Sequence, residues 1–179
     1  PPTQPEQALA ALVGLAAGTQ EGVRGVIVYM MIYMIMNLGV FACVIAMRRK
    51  GNQVEEISDL AGLGRNSPGL AFVLAMLMFS LAGVPPTVGF YAKLSVLDAV
   101  VKADQIWLAV VAVIFSLIGA FYYLRIVKLM YFDEPRDTAP IESGTDVRLL
   151  LSANGLAVLI LGVMPGGLMA LCLAAMQNL

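Results

Sequence analysis

The stretch Ser80-Leu-Ala-Gly-Val-Pro-Pro-Thr-Val-Gly-Phe-Tyr-Ala-Lys93 is an apolar segment that two adjacent prolines, Pro85 and Pro86, interrupt. Each proline lacks a backbone N–H and clashes with the preceding helical turn. Two prolines between flanking glycines predict an unwound helix rather than a bent one, and we place the break at Gly83 to Gly89. Unwound backbone at membrane depth is tolerated only where protein or a water-filled cavity satisfies it. We therefore expect the break to lie inside a helix bundle.

The composition predicts a membrane protein. The 179 residues are 60% hydrophobic and 13% charged, whereas soluble domains have about 45–50% apolar and about 25% charged residues. The apolar residues occur in long uncharged runs, and a run of about 18 or more predicts a transmembrane helix. The predicted fold is an all-α polytopic transmembrane helix bundle with one discontinuous, Pro-Pro broken helix.

The run lengths predict a single transmembrane domain, residues 1–179, with four spans in the lipid bilayer. The second span has 33 residues. As one straight helix it would extend about 50 Å across a hydrocarbon core of about 30 Å, so the length itself requires the break. The predicted spans are 26–47, 69–101 with its break at 83–89, 106–130 and 147–164.

The composition also excludes several kinds of chemistry. The net charge of −1 gives no indication of a nucleic-acid partner, and the chain has no histidine, the commonest metal ligand. Cys43 and Cys172 are isolated in apolar runs and are interpreted as buried small hydrophobic residues. We expect no metal site, no cofactor and no redox chemistry within this chain.

Lys93 is the candidate functional residue, because intramembrane ionisable residues are functional hypotheses by default. It could accept and release a proton, or it could extend its long stem to the interface. Its nine-residue separation from Lys102, about 13 Å along a helix, makes the second option harder. Ser80 and Thr87 are supporting polar candidates. Asn37, in the middle of the first span, is expected to hydrogen-bond a neighbouring helix, either as a packing contact or in transport.

The distribution of basic residues predicts the orientation. They alternate many, few, many in the successive loops, and by the positive-inside rule the two rich loops face the cytoplasm. The C-terminus would then lie on the outer, periplasmic side. The residues that set this pattern are Arg48, Arg49, Lys50 and Arg65 in the first rich loop and Arg125, Lys128, Arg136 and Arg148 in the second.

The opening stretch resembles the broken-helix signature of the antiporter-like membrane subunits of respiratory complex I. Three further segments make the resemblance more specific, and together they look most like subunit N of the NADH:quinone oxidoreductase, from about residue 8 onward. These segments are Tyr33-Met-Ile-Met-Asn37-Leu-Gly-Val-Phe41, Asp59-Leu-Ala-Gly-Leu-Gly-Arg65 and Tyr122-Tyr-Leu-Arg125.

The resemblance implies a proton-translocating translocase subunit in a bacterial inner membrane or an equivalent energy-coupling membrane, with other membrane subunits of complex I as partners. It matches Lys93 to a lysine of the proton path toward the outer side, and Pro85, Pro86 and the flanking glycines to the helix break. It places FMN, iron–sulfur clusters and quinone in partner subunits. We expect the chain to be the C-terminal part of a larger subunit. A subunit of an Mrp-type cation/proton antiporter and a purely structural membrane module remain alternatives.

Overall fold

The computed structural model describes residues 5–49, 52–53, 56–135, 145–164 and 166. The described part is dominated by helices. A two-residue antiparallel ladder, β1 (Arg48–Arg49) with β2 (Asn52–Gln53), and a 3₁₀ turn, Ile57–Leu60, lie between the second and third helices. The helices are α1 (Pro5–Ala16), α2 (Gln20–Ala46), α3 (Leu63–Asn66), α4 (Pro68–Ala82), α5 (Val88–Lys102), α6 (Ile106–Phe132) and α7 (Thr145–Val163).

Two helices in the described ranges are long and apolar enough to cross a membrane, over Gly22–Ile45 and Ile106–Phe132. The first begins earlier than the predicted residue 26. The reason is a cap: the Thr19 hydroxyl oxygen accepts from the Gly22 N–H at 3.0 Å, which satisfies one of the free amides at the start of α2. Residues 20–25 therefore form the first part of α2.

The predicted span 69–101 consists of α4 and α5, which have 15 residues each. Pro68 occupies the first turn of α4, where its missing N–H costs nothing. The non-helical stretch is residues 83–87 and is shorter than the predicted 83–89, because Val88 and Gly89 already belong to α5. Each half is about 22 Å long, so neither half spans a bilayer by itself.

The helices pack so that α5 lies among several neighbours. It contacts α1, α2, α4, α6 and α7, and its closest packing is against α2. Gly25 allows that approach, since a Cβ there would lie 3.2 Å from the Ser95 carbonyl oxygen. Fully buried aliphatic side chains of α2, α4 and α5 form the core around this contact: Ile32, Leu74, Leu77, Leu81, Val96 and Val100.

The polar connector before α4 folds against the end of α6. Glu56 and Asp59 cap each other's backbone at the 3₁₀ turn, and the Gly62 N–H donates to the Leu129 carbonyl at 3.3 Å. Helix α6 ends at Phe132 rather than at the predicted residue 130, and α7 runs from 145 to 163 rather than from 147 to 164. The predicted position of the C-terminus and the role of Cys172 lie outside the described residues.

Candidate functional site

The break between α4 and α5 starts at a glycine with a left-handed conformation. Gly83 has φ 82°, and its N–H donates to the carbonyls of Phe79 and Ser80 at 3.0 Å. Other residues adopt this φ only with strain. The Val84 N–H also donates to the Phe79 carbonyl at 3.0 Å, and the Pro85–Pro86 peptide bond is cis. Gly83 therefore ends α4 and turns the chain.

Ser80 connects the two halves of the broken helix. Its side chain is completely buried, its hydroxyl oxygen accepts from the Gly89 N–H at 3.1 Å, and its hydroxyl donates to the Met36 sulfur at 2.8 Å. An added Cβ at Gly89 would overlap the Ser80 carbonyl oxygen. Gly89, predicted as part of the break, instead lets the first turn of α5 pack against the last turns of α4.

Thr87 and α7 hold the remainder of the break. The Thr87 hydroxyl is buried and donates to the Val84 carbonyl at 2.6 Å, so it closes the turn internally rather than capping an amide of α5. An added Cβ at Gly162 of α7 would overlap the Pro86 carbonyl oxygen. Helix α7 thus supports the break through direct backbone contact.

Lys93 joins three helices through its ammonium group. The nitrogen donates to the Ala82 carbonyl oxygen at 3.0 Å and to the Ser116 hydroxyl oxygen at 2.8 Å. Ala82 is the last residue of α4, and the final carbonyls of a helix have no intrahelical partner and carry partial negative charge. The half-buried Lys93 side chain therefore places its cation at the negative end of α4 and contacts the middle of α6.

A cavity of about 300 Å³ opens beside Lys93. An added Cβ at Gly83 would lie 2.9 Å from Lys93 Cδ, so the glycine also provides the space that the lysine stem occupies. Among the described residues around this cavity, Lys93 is the only ionisable one. The lining residues are Ala10, Ala82, Gly83, Phe90, Lys93, Leu94, Leu97, Ala112, Val113, Ser116, Leu117 and Ala120.

The sequence pattern of the family described as "NADH:quinone oxidoreductase/Mrp antiporter, TM" matches residues 7–119, more than half of the chain. The chain belongs to this family. A curated relative, NADH-quinone oxidoreductase subunit N of Thiobacillus denitrificans, is 58% identical over 164 residues, which are 92% of this chain and 34% of the relative. The chain thus spans about a third of the length of that relative.

Two solved structures show the same fold in membrane complexes. A chain of respiratory complex I from Thermus thermophilus with bound NADH has 27% identity and a TM-score of 0.74, covering 92% of this chain and 36% of that chain. A chain of the Mrp complex from Dietzia sp. has 24% identity and a TM-score of 0.76, covering 90% and 38%. This member of the NADH:quinone oxidoreductase/Mrp antiporter family is accordingly a membrane protein of the all-α class.

We expected the whole break to lie inside a helix bundle, but in the described chain its two prolines do not. Thr87, Val88 and Gly89 are buried, whereas Pro85 and Pro86 are exposed on the surface of the described chain. The side of the break that carries hydrogen-bonded groups faces the bundle. The prolines have no N–H to satisfy, so their exposure leaves no amide without a partner.

Within the described residues, the hydrogen bond predicted between Asn37 and a neighbouring helix is not present. Asn37 is half-buried, and no hydrogen bond of its side chain is found within the described ranges. The buried face of α2 follows Ile32, Met36 and Cys43 at helical spacing, and Asn37 lies beside that face. The polar contact belongs to Asn154 of α7, whose amide lies 3.5 Å from the Ile35 carbonyl.

Asn154 and Ser116 were not identified from the sequence. Ser116 is the only serine, threonine, amide or charged residue between Ile106 and Phe121. An isolated polar residue in a transmembrane run is the signal that could have found it, since such residues pair within the bundle. At the far end of α5, Asp98 and Lys102 form an ion pair at 2.9 Å, and both side chains are largely exposed.

Proposed function

We propose that the chain is part of a proton-translocating membrane subunit of an NADH:quinone oxidoreductase, and that Lys93 takes up and releases the proton. One observation carries the proposal. Among the described residues, the one ionisable side chain beside the 300 Å³ cavity is a lysine held at a helix break. The relative in Thiobacillus denitrificans, an NADH-quinone oxidoreductase subunit N, supports the assignment to that enzyme.

The geometry suits proton exchange in two respects. The Ala82 carbonyl and the Ser116 hydroxyl stabilise a charged Lys93 away from bulk water. The cavity is large enough for several water molecules, each of which occupies about 30 Å³ in the liquid. Its walls are otherwise apolar, so water would gather at the lysine end, where the hydrogen-bonding groups are. Protons would reach and leave Lys93 through that water.

The wider setting is part of the same proposal. Other membrane subunits would supply the remaining proton path, and FMN, iron–sulfur clusters and quinone would reside in partner subunits. The protein would span a bacterial inner membrane, with its C-terminus on the periplasmic side according to the distribution of arginine and lysine. Quinone reduction elsewhere would drive the protons by shifting charge along buried ionisable groups.

The proposal is tested with the complete complex in sealed liposomes, comparing wild type with Lys93→Ala. Protons translocated per NADH oxidised are measured from a pH-sensitive dye and NADH absorbance. The proposal predicts a lower ratio in the variant at equal complex content. An unchanged ratio would reject the role of Lys93, and would leave a structural module as the better description.

A subunit of an Mrp-type cation/proton antiporter is the second candidate, and the structural similarity to the Mrp complex chain from Dietzia sp. favours it. The two candidates make opposite predictions in the same liposomes. A sodium or potassium gradient that drives proton movement without NADH would support the antiporter. Proton movement that requires NADH and is independent of both cations would support the oxidoreductase.

A further inference from the structure

We infer that Ser116 is a positioning residue for Lys93, and that its hydroxyl supports the lysine nitrogen in both the charged and the neutral state. This inference rests on the proposed proton-exchange role of Lys93 and deepens it. Helix α6 is otherwise apolar in this region. Through Ser116 it would take part in the proton path.

The contact is short and specific. Ser116 Oγ lies 2.8 Å from Lys93 Nζ, and Ser116 is half-buried on the wall of the cavity. A serine inside a helix commonly bonds the carbonyl one turn earlier. Here its oxygen accepts from a side chain on another helix. The neighbours of Ser116 along α6, Phe115 and Leu117, are large and apolar and cannot replace this contact.

The Ala82 carbonyl and the Ser116 hydroxyl differ in what they can do when Lys93 loses its proton. An ammonium has three N–H donors and no acceptor, whereas a neutral amine has two donors and one lone pair. The Ala82 carbonyl can only accept a hydrogen bond. The Ser116 hydroxyl can accept from the ammonium or rotate and donate to the lone pair of the amine.

Ser116 can therefore keep Lys93 at the cavity wall throughout a protonation cycle. Only the direction of the hydrogen bond between the hydroxyl and the nitrogen has to change. Without the hydroxyl, the nitrogen would lose a partner in both states, and it would be less well placed for transfer to water. A side chain at Ser116 that served only for packing would not need an oxygen.

The test uses the complete complex in sealed liposomes and four variants: Ser116→Ala, Ser116→Thr, Ser116→Cys and Ser95→Ala. Ser95 is a matched control because it lies on α5 near Lys93, and its hydroxyl donates to the Ala92 carbonyl of the same helix at 2.8 Å. The measured quantities are complex content, NADH oxidation and protons translocated per NADH.

We expect Ser116→Ala to slow NADH-driven proton translocation at least about tenfold, the lower end of the effect of losing one hydrogen bond to a charged group. Ser116→Thr retains the hydroxyl and should restore most of the rate, and Ser95→Ala should match wild type. Wild-type translocation by Ser116→Ala, or equal impairment of the threonine and alanine variants, would overturn the inference.

If Ser116→Ala does not assemble, Ser116→Cys takes its place, because a thiol has nearly the same size and is a weak hydrogen-bonding group. It should be impaired relative to Ser116→Thr, and equality of the two would overturn the inference. The outcome for Lys93→Ala distinguishes a failure of the Ser116 inference from a failure of the proposed function. If that variant is impaired while Ser116→Ala is normal, only the role of Ser116 fails. If Lys93→Ala translocates normally, the proposed function fails.

Discussion

The nitrogen of Lys93, on α5, lies 3.0 Å from the carbonyl oxygen of Ala82, the last residue of α4. The two halves of the broken helix are thus joined by a side chain as well as by the five residues between them. The cation occupies the end of α4 where backbone carbonyls lack intrahelical partners. A group with a proposed role in proton transfer is therefore also a structural contact across the break.

Replacing Gly83 with alanine should destabilise the break. The residue has φ 82°, and an added Cβ would lie 2.9 Å from Lys93 Cδ. A left-handed conformation costs a non-glycine residue about 1–2 kcal/mol. Thermal unfolding of the purified complex should show a lower Tm for Gly83→Ala than for wild type.

Gly69→Ala is the matched control for that variant. Gly69 lies in α4, the helix that Gly83 ends, and an added Cβ there has no heavy atom within 4 Å. Alanine is favoured over glycine in a helix by up to about 1 kcal/mol. The Tm of Gly69→Ala should equal or exceed that of wild type, and a similar loss in both variants would contradict the special role of Gly83.

Gly89→Ala should destabilise the complex more than Ser80→Ala does. Gly89→Ala places a Cβ against the Ser80 carbonyl, a backbone group that cannot move independently, and overpacking costs about 1–3 kcal/mol or more. Ser80→Ala leaves the Gly89 N–H without its partner, at about 1–3 kcal/mol. We expect reduced amounts of assembled complex for both on native gels, and the larger loss for Gly89→Ala. If Gly89→Ala left the amount of assembled complex unchanged, the two halves of the broken helix would not be in close contact.

The contact between α2 and α7 can be tested by a double-mutant cycle. An added Cβ at Gly39 would overlap the Asn154 side-chain oxygen. Gly39→Ala alone should therefore lower the Tm of the complex, and a second change, Asn154→Ala, should recover part of the loss. Residues in contact couple by about 0.5–3 kcal/mol. Additive effects on Tm would mean that the two residues do not touch.

The Asp98–Lys102 pair should contribute little. The two groups are 57–59% exposed and one helical turn apart, and such pairs contribute about 0.3–0.5 kcal/mol. Asp98→Asn should leave both the Tm and the number of protons per NADH close to wild type. A large loss of translocation would instead place Asp98 on the proton path.

The features that could be predicted from the sequence were those that depend on local chemistry. Pro85 and Pro86 remove backbone donors wherever they stand, and the 33-residue length of the 69–101 run predicts a break in it. Four spans were predicted, and within the described ranges two helices, Gly22–Ile45 and Ile106–Phe132, are long and apolar enough to cross a membrane. The first span was predicted to begin at residue 26 because only the apolar run was considered. The Thr19 cap starts α2 earlier, at the polar residue Gln20. Lys93 was identifiable because an isolated charge in a long apolar segment is unusual.

The features that were missed depend on how helices rotate and approach one another. Asn37 and Asn154 are both amides in apolar runs, and only the packing of α2 against α7 decides which one makes the contact. Gly162 supports the break from 75 residues away in sequence. Ser116 acquires a partner only when α5 and α6 are placed side by side. Contacts of this kind cannot be obtained from spacing within one helix.

The most direct test of the proton-exchange role is the number of protons translocated per NADH by Lys93→Arg in the complete complex. Arginine keeps a positive charge and several N–H donors for Ala82 and Ser116, but it does not release its proton in proteins. If Lys93 exchanges protons, Lys93→Arg should assemble and its ratio should fall as it does for Lys93→Ala. A wild-type ratio in Lys93→Arg would show that Lys93 acts only as a fixed cation across the break.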